Sequence, residues 1–513
     1  MKQFTFETRQ KNVLFGLMAL GAICLAASFF IDPTSSTKDG QYHLRFWTNL
    51  LQNSAFFGGI AFIAIFVTAA TLLMYAGWHI AFKRVWEGIG LFLPIGLLGI
   101  TIVGIGAAMH WHNLYQWADA DLVKNDKILT GKSGFLNLKM FFLATFGFGG
   151  LWYFFMRKFR AMSLEQDEMR AATKTDYPLY AKMKVWGAAF LPIAGFTSAA
   201  AIWLWLMSID AHWYSTMYAW YTTASWWISC LAATVLLLLY LKGRGYFIWE
   251  TDEHLHDLGK FMFAFTIFWT YLWFSQYMLI WYANIGEETI YFRQRMGEFP
   301  VLFYGNLVMN FVLPFLILIR NDTKRKKGSL AFAAGLIFFG HWWDFFQMVK
   351  IGPYKHATGS HGGGEHGAVG AHEAATGVAG HATTEHVAAA GEHAVGAAHG
   401  AAEHVAEHVA VAVQAAGEHV AATTSGVDAG HEVVKAAIDA TPALDALAKS
   451  NMEHYFHYAS DTTAGFGLPG FLEIGTFLGF GALFVWFVLN QLSKASLIPE
   501  NDPYLEETLH HHA

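Results

Sequence analysis

The stretch LAFAAGLIFFGHWWDFFQMV, residues 330–349, decides how this chain folds. It is almost entirely apolar or aromatic, and a helix of about 20 such residues crosses the ~30 Å hydrocarbon core of a bilayer. Two ionisable residues, His341 and Asp344, interrupt it three positions apart. Because positions i and i+3 lie on one side of a helix, the stretch predicts a membrane helix with an imidazole and a carboxylate on one face, close enough to share a proton.

The composition extends this interpretation to the whole chain. Of its 513 residues, 55% are hydrophobic and only 14% are charged, which is more apolar than a soluble domain. We therefore predict an all-α polytopic membrane protein. The net charge of −6, with basic residues in short loops, argues against nucleic acid as a partner. Cys24 and Cys230 lack a CxxC pattern, so their thiolates predict neither an iron–sulfur cluster nor a zinc site.

Ten apolar segments are long enough to span a membrane. They cover residues 13–31, 54–81, 87–109, 134–156, 185–208, 217–241, 259–284, 300–319, 329–350 and 470–490. With a cytoplasmic N-terminus, 20 Lys and Arg fall on the inner side and seven in the short outer loops. The positive-inside rule thus predicts cytoplasmic termini. Residues 1–350 then hold spans 1–9, residues 351–469 form an outer insertion, and residues 470–513 hold span 10 and a cytoplasmic tail.

Histidines and acids gather near the outer ends of the spans. Because polar sequence begins where lipid ends, His112, Glu287 and Glu288 fit an interfacial position as well as a functional one. His341 and Asp344 lie deeper, about 10 Å from the outer helix end at 1.5 Å per residue. A carboxylate at that depth normally faces a bundle interior or a proton path. A proton-handling pair and a buried, hydrogen-bonded structural pair both stay open.

The spacing of these residues indicates an internal repeat. Span 5 ends with Asp210 and His212, and span 9, four spans later and pointing the same way, contains His341 and Asp344. We therefore predict two four-helix bundles, helices 2–5 and helices 6–9, related as parallel repeats, with helices 1 and 10 flanking them. The similarity between the two halves is too low to establish the repeat.

A proton path needs protonatable groups from each membrane face to the middle. The outer half has the candidates Glu287, Glu288, His112, Asp210, His212, Tyr221, His341 and Asp344. The inner half has His79, Tyr75 and Tyr271. We predict no catalytic residue and no metal ligand on this chain.

Two other classes of membrane protein compete with a proton-conducting subunit. A di-haem cytochrome needs paired histidines at matching depth, and His79 has no partner at its depth. A secondary transporter often has helices broken near the midplane, as Pro94, Pro192 and Pro314 suggest here. The acid and histidine groups, however, are displaced outward, which favours the proton-conducting subunit.

The insertion 351–469 is rich in Ala, Gly and His. Its Glu-His dipeptides recur with helical spacing and its valines fall on the opposite side, which predicts an amphipathic helix near 383–422. A structural metal, a valine and alanine stripe docked on a partner subunit, and a mobile surface arm all stay open as its role.

Three stretches resemble a known family: DLGKFMFAFTIFWTYLWFSQYMLIWYANIGEETIYF (257–292), KRKKG (324–328) and GHWWD (340–344). They are similar to the ActF-type membrane subunit of bacterial alternative complex III, which belongs with NrfD/PsrC-like proteins. The resemblance covers most of the chain from span 2 to span 10, apart from the insertion 351–450. It is most specific in the first of the three stretches.

The resemblance implies a non-redox subunit of a quinol:cytochrome c, or high-potential acceptor, oxidoreductase complex in the bacterial inner membrane, where it contributes a proton path in a respiratory chain. The insertion would then be periplasmic. Haem and iron–sulfur centres are expected in periplasmic partner subunits, beside a homologous NrfD-like membrane subunit and a terminal oxidase. Quinone or quinol is the expected ligand of this chain or of that homologue. A structural membrane anchor and a standalone ion or proton transporter are the alternatives.

Overall fold

A computed structural model describes residues 3–32, 42–169, 177–247, 249, 251–358 and 465–510. All of them belong to one compact unit. They form helices joined by turns, with no β-strand within these ranges, and eight of the helices are long and apolar enough to cross a membrane. The prediction of an all-α polytopic membrane protein is confirmed at this level. The helix predicted near 383–422 lies outside the described residues.

Ten long helical segments carry the described part of the chain, and we number them in order. They are α1 Thr8–Phe30, α2 Leu44–Leu73, α3 Trp78–Ala108, α4 Leu138–Glu168, α5 Pro178–Trp205, α6 Met217–Gly243, α7 Asp252–Ala283, α8 Pro300–Leu318, α9 Lys327–Thr358 and α10 Phe471–Leu492. All except α7 and α9 belong to the eight. Those two are long enough, but Trp, Tyr and polar side chains lower their apolar content. Short helices in the connections are Ala120–Asn125, Lys127–Lys132, Gly286–Glu298, Asn321–Arg325 and Leu505–Leu509.

Three of the long segments are irregular. α3 turns at Leu91 and Phe92 and starts again with Pro94, whose missing N–H costs nothing in a first helical turn. α4 contains a π turn at Leu143–Phe148, and α8 contains another at Val308–Val312. Such single π turns insert a residue into a helix and frequently mark functional sites. They stand here four helices apart.

Helix α2 is the centre of the packing. It is buried along nearly its whole length and contacts α3, α5, α6 and α9. We call α2–α5 the first helix group, because α3 and α5 pack on α2 and α4 packs on α5. We call α6–α9 the second helix group, because α6 packs on α7 and α9, and α8 packs on α7 and α9. The two groups therefore meet along α2.

Glycines allow the closest helix approaches. Gly59 of α2 lies beneath the indole of Trp226 on α6, so a side chain at position 59 would overlap the ring. Gly21 of α1 faces Gly479 of α10 backbone to backbone. Small residues let helix backbones approach in this way in membranes, where packing replaces the hydrophobic effect as the driving force. The first contact joins the two helix groups, and the second pairs the flanking helices.

Candidate functional site

A buried polar network lies between α6, α8 and α9 in the second helix group. Its centre is Asp344, which is fully buried. Its Oδ1 accepts hydrogen bonds from the Tyr221 hydroxyl, from Nδ2 of Asn306 at 2.8 Å and from Nε2 of Gln347 at 3.1 Å. Its Oδ2 has no hydrogen-bond partner among the described residues. The carboxylate thus has one saturated oxygen and one open oxygen.

The second member of the network is His341, also fully buried. Its Nδ1 lies 2.9 Å from Oγ of Ser225, and its ring stands edge-on to Trp269 with the ring centroids 5.3 Å apart. Its Nε2 has no partner within the described ranges. The positions of the heavy atoms do not fix the tautomer of a neutral histidine, so either ring nitrogen can carry the proton. One nitrogen of the imidazole is therefore available for proton exchange.

His341 and Asp344 do not bond to each other in the described structure, which corrects the expectation that they share a proton directly. The spacing i,i+3 places both on the side of α9 that faces α6, where Ser225 and Tyr221 are also one turn apart. Asp344 is hydrogen-bonded to Tyr221, and Ser225 interacts with both His341 and Asp344. The hydroxyl of Ser225 therefore lies between the two ionisable side chains, and proton exchange between them uses this hydroxyl or a bridging water.

Two asparagines of α8 complete the network. Nδ2 of Asn310 donates to Oδ1 of Asn306 at 2.6 Å and to the carbonyl of Gly340 at 2.9 Å. These bonds orient Asn306 so that its own Nδ2 donates to Asp344. Asn310 lies in the π turn Val308–Val312, which links that irregularity to the site.

The donors to Asp344 are all neutral. No Lys, Arg or His forms an ion pair with it among the described residues. An ionised carboxylate without a cation is costly in a low-dielectric interior, whereas neutral donors serve it in either protonation state. The site can therefore take up and release a proton without losing an ion pair.

A second polar group lies at the end of α9, where Asp210 pairs with Arg295 at 3.1 Å. The guanidinium of Arg295 lies 3.3 Å from the ring centroid of Tyr291. The ring of Trp213 also stacks on the ring of Tyr291, with the two centroids 3.9 Å apart. Burial raises the pKa of Tyr291 to about 12, with Arg295 acting in the opposite direction. Gly352 leaves room for Asp210, since a Cβ there would lie 2.6 Å from Oδ1.

Aromatic side chains fill the space between the two polar groups. The ring of Tyr218 stands edge-on to Trp213 at 5.8 Å and lies 6.3 Å from the ring of Tyr221. Within the described structure no hydrogen bond joins Asp210 to Asp344. Of the predicted outer residues, the structure thus brings Tyr221, His341 and Asp344 into one network and places Asp210 beyond two buried tyrosines.

The remaining outer candidates lie elsewhere. Nε2 of His212 lies 2.5 Å from Oδ2 of Asp126 in a half-exposed pair, so His212 does not join Asp210. Burial raises the pKa of Asp126. Hydrogen bonds from His212 and from two backbone N–H groups lower this pKa by more, so the net shift is downward. Glu287 is exposed and Glu288 is half-buried in the first turn of the helix Gly286–Glu298.

His112 is a structural histidine in the connection that follows α3. Its Nε2 donates to the carbonyl of Val103 at 2.9 Å, and its Nδ1 accepts from the N–H of Leu114 at 3.3 Å. Burial lowers the pKa of His112 to about 4, which the hydrogen bond to Val103 only partly offsets. With both ring nitrogens used in the neutral form, its ring offers no open position.

The inner candidates do not reach the network. His79 is buried near the start of α3, where its ring stacks on Trp86. Tyr75 is exposed and accepts a hydrogen bond from Lys184 at 3.2 Å. Tyr271 is 62% exposed on the surface of α7. Within the described ranges none of the three forms a hydrogen bond or ring contact with His341 or Asp344.

Sequence reasoning missed two buried ion clusters. Oε2 of Glu87 accepts from Arg84 at 2.7 Å and also from Arg160. The carboxylate of Glu473 accepts two hydrogen bonds from Arg45, at 2.8 and 2.9 Å. Lys350 lies 3.6 Å from the same carboxylate. These residues stand near the ends of predicted spans, so they looked like charges of the adjoining loops.

Sequence reasoning also missed Asn306, Asn310, Ser225 and Gln347. A signal for the first two existed, because two amides at i,i+4 inside an apolar span lie on one face and need polar partners. The sequence contains no such signal for Ser225, because a lone serine in a membrane helix usually bonds to the backbone of its own helix.

The chain matches no protein-family model and no curated protein sequence. In the part of the chain that the structure describes, no three His, Cys, Asp or Glu side chains are grouped to hold a metal ion. The prediction that this chain binds no metal stays a prediction.

Proposed function

We propose that this chain is a membrane subunit that conducts protons within a quinol-oxidising complex. The observation that carries the proposal is the environment of Asp344: a fully buried carboxylate with only neutral donors and one open oxygen. Ionisable groups inside membrane helices that face a bundle interior mark proton relays. Asp344, Tyr221 and His341 are the groups that exchange protons in this proposal.

The proposed path runs from Asp210 and Arg295 past Tyr218 and Tyr291 to the network at Asp344. Its gaps exceed hydrogen-bond length, so ordered water must bridge them. From His341 the path continues to the other membrane face through water, since His79, Tyr75 and Tyr271 do not extend the network.

The proposed architecture has ten spans in two four-helix bundles, α2–α5 and α6–α9, with α1 and α10 flanking. The contacts between the helices support it, as does the presence of one π turn in each of α4 and α8. The bias of Lys and Arg supports cytoplasmic termini. The insertion 351–469 would then face the periplasm of a bacterium.

The assignment to a quinol:cytochrome c or high-potential acceptor oxidoreductase rests on the resemblance of 257–292, 324–328 and 340–344 to alternative complex III. In that setting haem and iron–sulfur centres belong to partner subunits, and a homologous membrane subunit and a terminal oxidase are further partners. Quinone or quinol binds this chain or its homologue. The chain contributes proton movement rather than electron transfer.

The test replaces Asp344 by Asn and His341 by Gln in the intact complex. We expect either variant to lower proton release coupled to quinol oxidation by about 10²-fold or more, the usual contribution of a positioned proton-transfer group. Assembly should be unchanged, because Asn has the shape of Asp and Gln keeps a polar group that can bond to Ser225. The control is Glu287→Gln, which removes an exposed carboxylate and should leave proton release unchanged.

Two results separate the alternatives. Normal proton release and turnover in an assembled Asp344→Asn complex would overturn the proton role and favour a structural membrane anchor. Purification as a single chain, without haem- or iron–sulfur-bearing partners, would instead favour a standalone transporter.

A further inference from the structure

An apolar crevice of about 740 Å³ opens between α1, α6, α9 and α10. Its wall includes Leu14, Phe57, Leu237, Phe338, Phe477 and Phe484. Along α6 the lining extends from Ala233 to Arg244, a length of about 16 Å at 1.5 Å per residue. The crevice is therefore elongated and follows the helices, as a hydrocarbon chain lying against a membrane protein does.

The mouth of the crevice is basic. Arg9, near the start of α1, and Arg244, just after α6, both line it and both side chains are exposed. Arg9 forms no ion pair within the described structure. Arg244 lies 3.5 Å from Glu7, an exposed pair of the kind that contributes little.

One buried polar group also lines the crevice beside this mouth. The amide of Gln10 is 9% exposed, and its Oε1 has no hydrogen-bond partner among the described residues. An amide oxygen accepts a hydrogen bond from a hydroxyl. The mouth thus offers two guanidinium groups for an anion and one acceptor for a neutral donor.

We infer that this crevice is a binding site for one anionic phospholipid, with its phosphate between Arg9 and Arg244 and an acyl chain along α6 and α10. Guanidinium groups bind phosphate oxygens through paired N–H donors. Basic pockets between membrane helices recognise anionic headgroups by this combination of charge and apolar depth. A headgroup hydroxyl, as in phosphatidylglycerol, suits the open oxygen of Gln10.

The charge pattern selects this occupant over a zwitterionic lipid or a quinone. A zwitterionic headgroup would bring its own cation next to the two arginines. A quinone carries no charge and would use the charge of neither guanidinium group. Charge therefore distinguishes the occupants, and the apolar wall alone does not.

The first test measures lipid retention by the full chain in its purified complex, using native mass spectrometry in a mild detergent. The probes are phosphatidylglycerol and phosphatidylethanolamine with the same acyl chains. We expect preferential retention of one phosphatidylglycerol, and about tenfold weaker binding in the variant Arg9→Gln/Arg244→Gln. The matched control, Lys11→Gln/Lys242→Gln, removes the same charge nearby from residues that do not line the crevice.

A charge variant and a steric variant sharpen this test. Glu7→Gln removes the competitor for Arg244 and should strengthen phosphatidylglycerol binding. Gly481→Leu adds a side chain inside the crevice, where a Cβ would meet only Phe57 at 3.7 Å, and should reduce retention. Its control is Gly195→Leu, where a Cβ meets nothing within 4 Å and which does not line the crevice.

Three outcomes would overturn the inference. The first is equal retention of the two phospholipids, and the second is an equal effect of the arginine and lysine double variants. The third is displacement of phosphatidylglycerol by a long-chain quinone added at the same concentration, which would assign the crevice to the quinone.

Discussion

Two buried carboxylates, Glu87 and Asp344, and two buried histidines, His112 and His341, have different surroundings in the two halves of the described structure. On the first side Glu87 accepts hydrogen bonds from two guanidinium groups through Oε2, while its Oε1 has no partner among the described residues, and His112, in the connection after α3, uses both ring nitrogens. In the second group Asp344 meets only neutral donors, and His341 leaves Nε2 open among the described residues. All four side chains are buried.

The difference shows that burial of an ionisable group does not by itself indicate function. A carboxylate between two arginines keeps its charge, because losing it would leave the buried Arg160 without a partner ion and Arg84 with Asp167 alone. A histidine bonded at both nitrogens is held in one neutral form. Open oxygens and nitrogens beside neutral donors permit a change of protonation state, which is what a relay requires.

The largest expected loss of stability comes from a variant that breaks the ion cluster of Arg84, Glu87 and Arg160. Glu87→Gln leaves Arg84 and Arg160 facing an amide, so we expect a loss of about 3–5 kcal/mol in the free energy of unfolding. Thermal unfolding in detergent measures it. Glu165→Gln, which removes an exposed carboxylate of α4, is the control and should have little effect.

A double variant sharpens the same comparison. Glu87→Gln/Arg160→Gln removes one cation together with the carboxylate, while Arg84 keeps its pairing with Asp167. Part of the lost stability should return. An additive loss in the double variant would contradict the ion-cluster explanation.

The next effect is a pH dependence caused by His112. Its pKa of about 4 lies below the ordinary value of 6.5, so the unfolded chain binds a proton more readily and stability falls as pH decreases through 6.5 towards 4. The loss between pH 7 and pH 5 should be about 2 kcal/mol. Unfolding of His112→Gln at both pH values should show a decrease smaller by this amount, and an unchanged decrease would refute the assignment.

A smaller loss in the free energy of unfolding is expected when the hydrogen bond between Trp205 and Thr145 is removed. Nε1 of Trp205 donates to Oγ1 of Thr145 at 3.1 Å, and both residues are buried. Thr145→Val leaves the indole N–H without an acceptor and should cost about 1–2 kcal/mol. Thr101→Val removes a hydroxyl that bonds only within α3 and serves as the control. Equal losses in the two variants would show that the contact between α4 and α5 contributes nothing.

The smallest effect on stability belongs to Asp344. Asp344→Asn keeps an oxygen for Tyr221, Asn306 and Gln347, so the free energy of unfolding should change by about 1 kcal/mol or less. The same variant should abolish coupled proton release. A loss as large as that of Glu87→Gln would remove the distinction between the two groups and make Asp344 structural.

Much of the fold could be predicted from local sequence. Each apolar run became a long helix, although α2 begins at Leu44 rather than at residue 54 and α9 continues beyond 350. The early start of α2 was missed because Arg45, Asn49 and Gln52 look like loop residues. They are helical and buried since Glu473 and Trp342 provide their partners.

The sequence by itself determined that the chain is helical and apolar, and that His341 and Asp344 share one side of a deep helix, because composition and helical period are local properties. Tertiary structure alone decided which polar groups meet. Ser225 and Tyr221 come from α6, and Asn306 comes from α8, and their alignment with α9 depends on helix packing rather than on periodicity. The same packing separated His212 and His112 from the network, since His212 pairs with Asp126 of the connection between α3 and α4 and His112 bonds to the carbonyl of Val103 in α3.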